Sequence, residues 1–194
     1  MSTPAPLGLV LFTGGAGVRL GGRKASRPHP AGGSWSGHLL RTFQALSAGP
    51  VWVVGEPVVE APELPRVDDP RMGPAVALRA WAQTRPIGAN RWWVVACDQV
   101  RWTAADLERW RRLAEAADPQ GLAWVMAQAE GIRQYFGSFL GATLVPRVAE
   151  APDTALRGLA DGLPTVVLEL ALPAWADIDT PAALEAFRAE QGLR

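Results

Sequence analysis

Short apolar runs alternate with helix-like segments along most of the chain, and this alternation is the strongest constraint on its fold. The clearest runs are residues 7–12 and 91–96. Further strand candidates are residues 51–54, 66–67, 122–127, part of 132–140, and 165–170. Helices are predicted over residues 35–46, 73–83, 103–117, 153–160 and 181–191. The pattern predicts an α/β fold of three α/β/α layers, with a Rossmann-like, mainly parallel sheet and helices on both faces.

A mainly parallel sheet also predicts where the chemistry lies. Such sheets bind ligands beyond the carboxyl ends of their strands, where the connections diverge. We therefore expect the functional residues just after the strands that end at Phe12, Val67 and Ala96. The sequence shows neither an internal repeat nor an interdomain linker, so we expect one domain over residues 1–194, with residues 1–6 as a flexible tail.

Composition narrows the classes of partner. The formal net charge is +0, which gives no electrostatic case for nucleic acid or an anionic membrane as partner. No apolar run approaches the roughly 20 residues that span a bilayer, and the N-terminus lacks the pattern of a signal peptide. A single cysteine, Cys97, rules out an internal disulfide. These features predict a soluble cytoplasmic domain.

A glycine-rich segment, residues 13–24, follows the first strand. It contains five glycines together with Arg19 and Lys24, and Lys24 is the only lysine among 19 basic residues. Glycines let backbone N–H groups approach an anion closely, and the two cations suit phosphate oxygens. The segment is not a Walker A loop, because Arg23 precedes Lys24 where that motif has glycine. The pattern favours phosphate binding over the alternative of a flexible surface loop.

Three carboxylates follow predicted strands or precede predicted helices. Asp98 lies at the end of the strand 91–96 and is either a turn residue or a ligand of Mg²⁺ that bridges nucleotide phosphates. Asp177 precedes the helix start at Thr180, so it either assists capping or completes a metal clamp. Asp69 lies in a polar turn that becomes a nucleotide contact if the loop folds inward.

Other reactive residue types have structural interpretations. Cys97 is expected to be a small buried side chain rather than a nucleophile. His29 and His38 lack a spacing typical of zinc sites or catalytic triads, so we expect both to be structural or solvent-facing. Trp92 and Trp93 must point to opposite faces of their strand, and most of the nine tryptophans should lie in the core.

Taken together, these segments resemble the molybdenum cofactor guanylyltransferase family of the nucleotidyltransferase superfamily. Residues 12–24 correspond to its opening motif, Leu-Ala-Gly-Gly-x-Gly-x-Arg-Met-Gly-Gly-x-Asp-Lys. Residues 73–77 correspond to its Gly-Pro-Leu-Ala-Gly helix start, and residues 97–100 to its Cys-Asp-x-Pro. Residues 177–181 correspond to its closing Asn-x-Asn/Asp-Thr-Pro. Order and spacing agree over nearly the whole chain.

The resemblance implies a role for each matching position. The nucleotide-binding residues would be Phe12, Thr13, Gly14, Gly15, Gly17, Lys24, Asp69 and Asp98. Lys24, assisted by Arg19, would neutralise charge on the phosphates in the reaction. Asp98 would hold Mg²⁺ together with Asp177. The base would lie near the end of the first strand and the segment after the second.

The resemblance also implies a reaction and its substrates. The terminal phosphate of molybdopterin would attack the α-phosphorus of GTP and release pyrophosphate. A phosphate nucleophile is already ionised, so such a reaction needs positioning and charge stabilisation more than a strong base. GTP and molybdopterin are thus the implied small-molecule partners, together with transient contacts to other cofactor-biosynthesis or acceptor proteins.

The chain departs from the family pattern at several places. The aspartate before the motif lysine is missing, which puts Arg23 in front of Lys24. Residues 54–56 are Val-Gly-Glu where the family has an asparagine, and residues 27–33 replace an apolar run. Two alternatives therefore stay open: a related enzyme that uses CTP or another phosphorylated acceptor, and a nucleotide-binding homologue without turnover.

Overall fold

The computed structural model describes residues 6–14 and 22–191. Its strands are β1 (Leu7–Phe12), β2 (Val51–Val54), β3 (Arg66–Val67), β4 (Arg91–Ala96), β5 (Trp124–Ala129), β6 (Ile132–Gly141) and β7 (Thr165–Glu169). Its α-helices are α1 (Trp35–Gln44), α2 (Pro74–Gln83), α3 (Ala104–Ala117), α4 (Val145–Glu150), α5 (Leu156–Asp161) and α6 (Pro181–Glu190). Single 3₁₀ turns cover Ala142–Leu144 and Pro173–Trp175.

The strands form one sheet in the order β3-β2-β1-β4-β6-β5-β7. All neighbouring pairs are parallel except the two that involve β6, which runs antiparallel to β4 and β5. Phe12 is in register with Val54 on one side and with Ala96 on the other. The carboxyl ends of β1, β2 and β4 therefore meet at one edge, and the predicted mainly parallel α/β fold is confirmed.

Alternating side chains of the strands fill a core on each face of the sheet. On one face, Leu9 and Trp93 pack with apolar residues of α1 and α3. On the other, Val10 and Trp92 pack with residues of α2, α4 and α5. The opposite orientations of Trp92 and Trp93 are thus confirmed, and eight of the nine tryptophans are buried. Helices on both faces complete the three predicted layers.

The observed elements differ from the prediction in detail. Helix α4 was not predicted, because its buried pair Val145 and Val148 is too short to show helical periodicity. Strand β5 begins later than expected because the Asp118 carboxylate accepts the backbone N–H groups of Leu122 and Ala123, both at 3.1 Å. Among the residues that the structure describes, we find no helix with the length and apolarity needed to cross a membrane.

Candidate active site

The segment that leaves β1 is fixed to the end of β2. The backbone N–H groups of Thr13 and Gly14 donate to the Val54 carbonyl at 2.9 and 3.2 Å. The buried Thr13 hydroxyl donates to the Glu56 carbonyl oxygen at 2.6 Å. Gly55 adopts φ +113°, and a Cβ atom on it would lie 2.5 Å from the Gly14 nitrogen. The start of the glycine-rich segment is therefore held at the carboxyl edge of the sheet.

Asp69 lies directly beside this segment. A Cβ atom on Gly14 would lie 2.1 Å from Asp69 Oδ2, so only glycine allows the carboxylate this approach. The other carboxylate oxygen accepts the backbone N–H of Arg71 at 2.8 Å. Asp69 is thus brought to the predicted site. Gly15, Gly17 and Arg19 lie outside the described residues, as do residues 1–5 of the expected tail.

Lys24 and Asp98 form the central ion pair of the site. The Lys24 ammonium lies 2.8 Å from Asp98 Oδ2, and the two side chains are 16% and 19% exposed. Asp98 follows β4, and the preceding Cys97 donates its backbone N–H to the Phe12 carbonyl at 2.8 Å. The lysine of the glycine-rich segment and the carboxylate after β4, predicted separately, are therefore in direct contact.

Asp177 joins this pair from the far end of the chain. The backbone N–H of Ile178 donates to the Asp98 carbonyl at 3.0 Å, which docks the segment onto the Asp98 loop. Burial of the carboxyl group and then the negative charge of Asp98 raise the pKa of Asp177 to about 6, against a hydrogen bond from Gln99 and the charge of Lys24. Thr180 caps α6, since its hydroxyl accepts the Ala183 N–H at 3.2 Å. The capping alternative thus belongs to Thr180.

The donor set fits a divalent cation that is shared with a phosphate ligand. Carboxylate oxygens are the protein ligands that Mg²⁺ prefers, and Mg²⁺ commonly takes its other ligands from phosphates and water. Within residues 6–14 and 22–191, no group of three or more His, Cys, Asp or Glu side chains could hold a metal. Asp98 and Asp177 would therefore hold a cation only together with oxygens from a bound nucleotide or water.

The structure also places residues whose roles the sequence left open. The Phe12 ring is buried and packs edge-on against Phe136, with centroids 5.0 Å apart, so its backbone is the part a nucleotide would meet. Burial raises the pKa of the Cys97 thiol well above its usual range, which agrees with the predicted inert side chain. His29 is buried and stacks on the partly buried His38.

Sequence reasoning missed two partners of the site. Gln99 is 2% exposed and donates through Nε2 to the Trp175 carbonyl at 3.4 Å, in addition to its bond to Asp177. Its position next to Asp98 was the available signal. Glu56 pairs with Arg23 at 3.1 Å, and its side chain is 34% exposed. The family has an asparagine in this segment, so the charged side chain of Glu56 was the available signal for its ion pair with Arg23.

Comparison with known proteins identifies the family of the chain. The model of the MobA-like NTP transferase domain matches residues 9–193. No curated protein sequence is similar enough to the chain to count as a match.

Solved structures share the fold at low sequence identity. The Archaeoglobus fulgidus molybdopterin-guanine dinucleotide biosynthesis protein A is 14% identical, with a TM-score of 0.72 over 95% of this chain and 98% of that one. A Mycobacterium tuberculosis protein solved with manganese is 15% identical, with a TM-score of 0.63 over 94% and 97%. The 2-C-methyl-D-erythritol 4-phosphate cytidylyltransferase of Thermus thermophilus is 15% identical, with a TM-score of 0.62 over 95% and 98%.

The family model covers the strands, the glycine-rich segment and all three site segments. The predicted nucleotidyltransferase class is thereby confirmed, and the chain belongs to the family of MobA-like NTP transferase domains.

Proposed function

We propose that this nucleotidyltransferase transfers GMP from GTP to molybdopterin and releases pyrophosphate, with Mg²⁺ held by Asp98 and Asp177. The observation that carries the proposal is the contact of Lys24 with Asp98 beside Asp177, at the carboxyl ends of β1 and β4. A cation for phosphates and two carboxylates for a metal ion meet there, next to a segment rich in glycine.

The site residues would act through position and charge. Because the Gly14 N–H already donates to the Val54 carbonyl, the backbone N–H groups of Gly15 and Gly17 would bind the phosphates, with Arg19 in the same loop. Bound Mg²⁺ would supply charge neutralisation at the phosphate oxygens. Lys24, now paired with Asp98, would turn to the phosphates and stabilise the charge that develops in the transition state. A phosphate nucleophile requires no base from the protein.

Glu56 supports GTP as the nucleotide. Guanine presents two adjacent donors, N1–H and the 2-amino group, and a carboxylate accepts two such bonds side by side. Glu56 directly follows the β2 turn that holds Thr13 and has a partly exposed side chain. A base bound near Phe12 and Thr13 would lie close to this carboxylate, whereas cytosine presents only one donor on its pairing edge.

Two alternatives have a specific observation in their favour. The likeness to a Thermus thermophilus cytidylyltransferase, which shows the shared fold alone, keeps CTP as a rival nucleotide. Arg23 stands directly before Lys24, where the family has an aspartate, and forms an ion pair with Glu56. The missing aspartate keeps a nucleotide-binding homologue without turnover as the second rival.

The single free cysteine supports a reducing, cytoplasmic location, where other cofactor-biosynthesis proteins would be transient partners.

Calorimetry with GTP, CTP, ATP and UTP, each with and without Mg²⁺, tests the proposal. We expect Mg²⁺-dependent binding of GTP that Asp98→Ala abolishes. Preference for CTP would show that CTP, not GTP, is the nucleotide substrate. Binding of none of the four nucleotides would refute the proposal. Pyrophosphate release on addition of molybdopterin then separates the enzyme from a homologue that only binds nucleotide.

A further inference from the structure

Two histidine rings stack on each other close to the candidate site. The centroids of His29 and His38 are 3.7 Å apart, and the ring planes differ by 7°. His29 belongs to the segment that follows Lys24 and is 7% exposed, whereas His38 belongs to α1.

Both rings bind the loop that carries Asp98. His29 Nδ1 accepts the backbone N–H of Ala31 at 3.0 Å, which leaves Nε2 as the donor to the Val100 carbonyl at 3.3 Å. His38 Nε2 lies 2.9 Å from the Trp102 carbonyl. The pair therefore connects the segment after Lys24 to the segment after Asp98 through two backbone carbonyls.

The rings are neutral at neutral pH, which allows them to stack. Burial, together with the neighbouring His38 and Arg41, lowers the pKa of His29 to about 4, against the hydrogen bond to Val100. Burial also lowers the pKa of His38, again with a contribution from Arg41. Two charged rings at this distance would repel each other.

The third site segment also reaches the pair. Phe187 of α6 lies against His29, with ring centroids 5.6 Å apart. Arg101 stacks over Phe187 at 5.1 Å and forms an ion pair with Glu190. Since α6 directly follows the Asp177 segment, His29, which lies in the segment after Lys24, contacts both of the other parts of the chain that supply the site.

We propose that the His29–His38 pair is a positioning element that fixes the Asp98 loop against the Lys24 segment. Its hydrogen bonds to Val100 and Trp102 set the backbone from which Asp98 meets Lys24 at 2.8 Å. The consequence for catalysis rests on the proposed function, whereas the structural link does not.

The only lysine of the chain provides a direct probe of this link. Protein labelled with ¹³Cε-lysine gives a single ε-carbon NMR signal, from Lys24. Asp98→Asn removes the ion pair and defines the shift of an unpaired Lys24. In His29→Gln, the amide nitrogen of the side chain can occupy the position of Nε2 and donate to the Val100 carbonyl. In His29→Asn, the side chain is one methylene shorter, so its amide cannot reach that carbonyl. Both variants lose the ring stack on His38, and His29→Asn, unlike His29→Gln, can keep an acceptor for the Ala31 N–H.

We expect His29→Asn to move the Lys24 signal towards its position in Asp98→Asn, and His29→Gln to leave it near wild type. Affinity for Mg²⁺·GTP should fall about tenfold in His29→Asn and change by less than about twofold in His29→Gln, because small misplacements of site groups weaken their interactions strongly. Ser47→Ala, which removes a hydrogen bond to the Leu7 carbonyl at the opposite end of β1, should change neither quantity.

Either of two results would overturn the inference. One is an unchanged Lys24 signal in folded His29→Asn, and the other is an equal displacement in His29→Asn and His29→Gln. Failure of the proposed function gives a different result: the Lys24 signal responds as expected, but wild-type protein binds none of the four nucleotides. If His29→Asn does not fold, His38→Phe replaces it in the test. This variant keeps a stacked ring and removes the donor to the Trp102 carbonyl, and its Lys24 signal is compared with those of wild type and Asp98→Asn.

Discussion

Mild acid should destabilise the fold through His29. In the folded protein the pKa of this histidine is about 4, compared with an ordinary value of 6.5. A lowered pKa means that the unfolded chain takes up the proton first as the pH falls. Stability is therefore complete above the unfolded pKa and declines as the pH falls towards the folded one.

The size of the loss follows from these two pKa values. At about pH 5 the unfolded histidine is almost fully protonated and the folded one is almost neutral, which costs about 2 kcal/mol relative to about pH 7. Asp177 acts in the opposite direction, because its raised pKa of about 6 makes the folded state take up a proton first. Neighbouring groups desolvate the Asp177 carboxyl group, but much of the residue's surface stays exposed, so solvent screening limits this gain to below about 1 kcal/mol. A net loss of about 1 kcal/mol or more remains, and the lowered pKa of His38 adds to it.

Urea unfolding followed by tryptophan fluorescence at the two pH values measures the effect. Wild-type protein should lose free energy of unfolding on acidification, whereas His29→Gln should lose about 2 kcal/mol less across the same interval. The comparison uses the change with pH, so any constant cost of the substitution cancels. Ser47→Ala should keep the pH dependence of wild type. An equal loss in wild type and His29→Gln would show that His29 does not have the buried, neutral state described above.

Three further predictions concern the site and the core. Lys24→Ala and Asp98→Ala should each lower turnover by about a hundredfold or more while the fold persists, measured as pyrophosphate release; wild-type activity in either would remove that residue from the mechanism. Glu56→Gln should weaken GTP binding about tenfold and improve binding of xanthosine triphosphate, which has a carbonyl in place of the 2-amino group; an unchanged preference would show that Glu56 does not contact the base. Trp110→Phe should cost about 1–2 kcal/mol in urea unfolding, since it removes the buried indole hydrogen bond to the Gly137 carbonyl at 2.7 Å; no cost would mean that this bond is replaced.

The sequence was sufficient for those features that depend on local pattern. Apolar runs bounded by turn residues identified the strands, and the glycine-rich segment and Asp98 were expected at the same edge because both follow parallel strands. The contact between Lys24 and Asp98 follows from that geometry. The type of fold and the closeness of the glycine-rich segment to Asp98 could therefore be predicted from the sequence alone.

Features that depend on long-range packing could not be predicted in this way. Nothing local to residues 132–141 shows that β6 inserts antiparallel between β4 and β5. The stacking of His29 on His38 requires a loop and a helix to meet, and neither the spacing nor the composition of the segment indicates it. The pair of Arg23 with Glu56 likewise depends on how two loops approach each other.

Under the proposed function, the charges of the site predict that nucleotide and divalent cation bind together. Lys24, Asp98 and Asp177 together carry one net negative charge when all are ionised, which opposes the approach of a triphosphate. Burial of the carboxyl group and then the negative charge of Asp98 raise the pKa of Asp177, so the site holds a second carboxylate charge less readily than water does. A divalent cation would reverse this balance, yet the two carboxylates supply too few ligands to hold it tightly alone. The cation therefore supplies positive charge for the nucleotide, and the nucleotide supplies oxygen ligands for the cation. The affinity for GTP should rise with Mg²⁺ concentration, and the affinity for Mg²⁺ should rise equally with GTP.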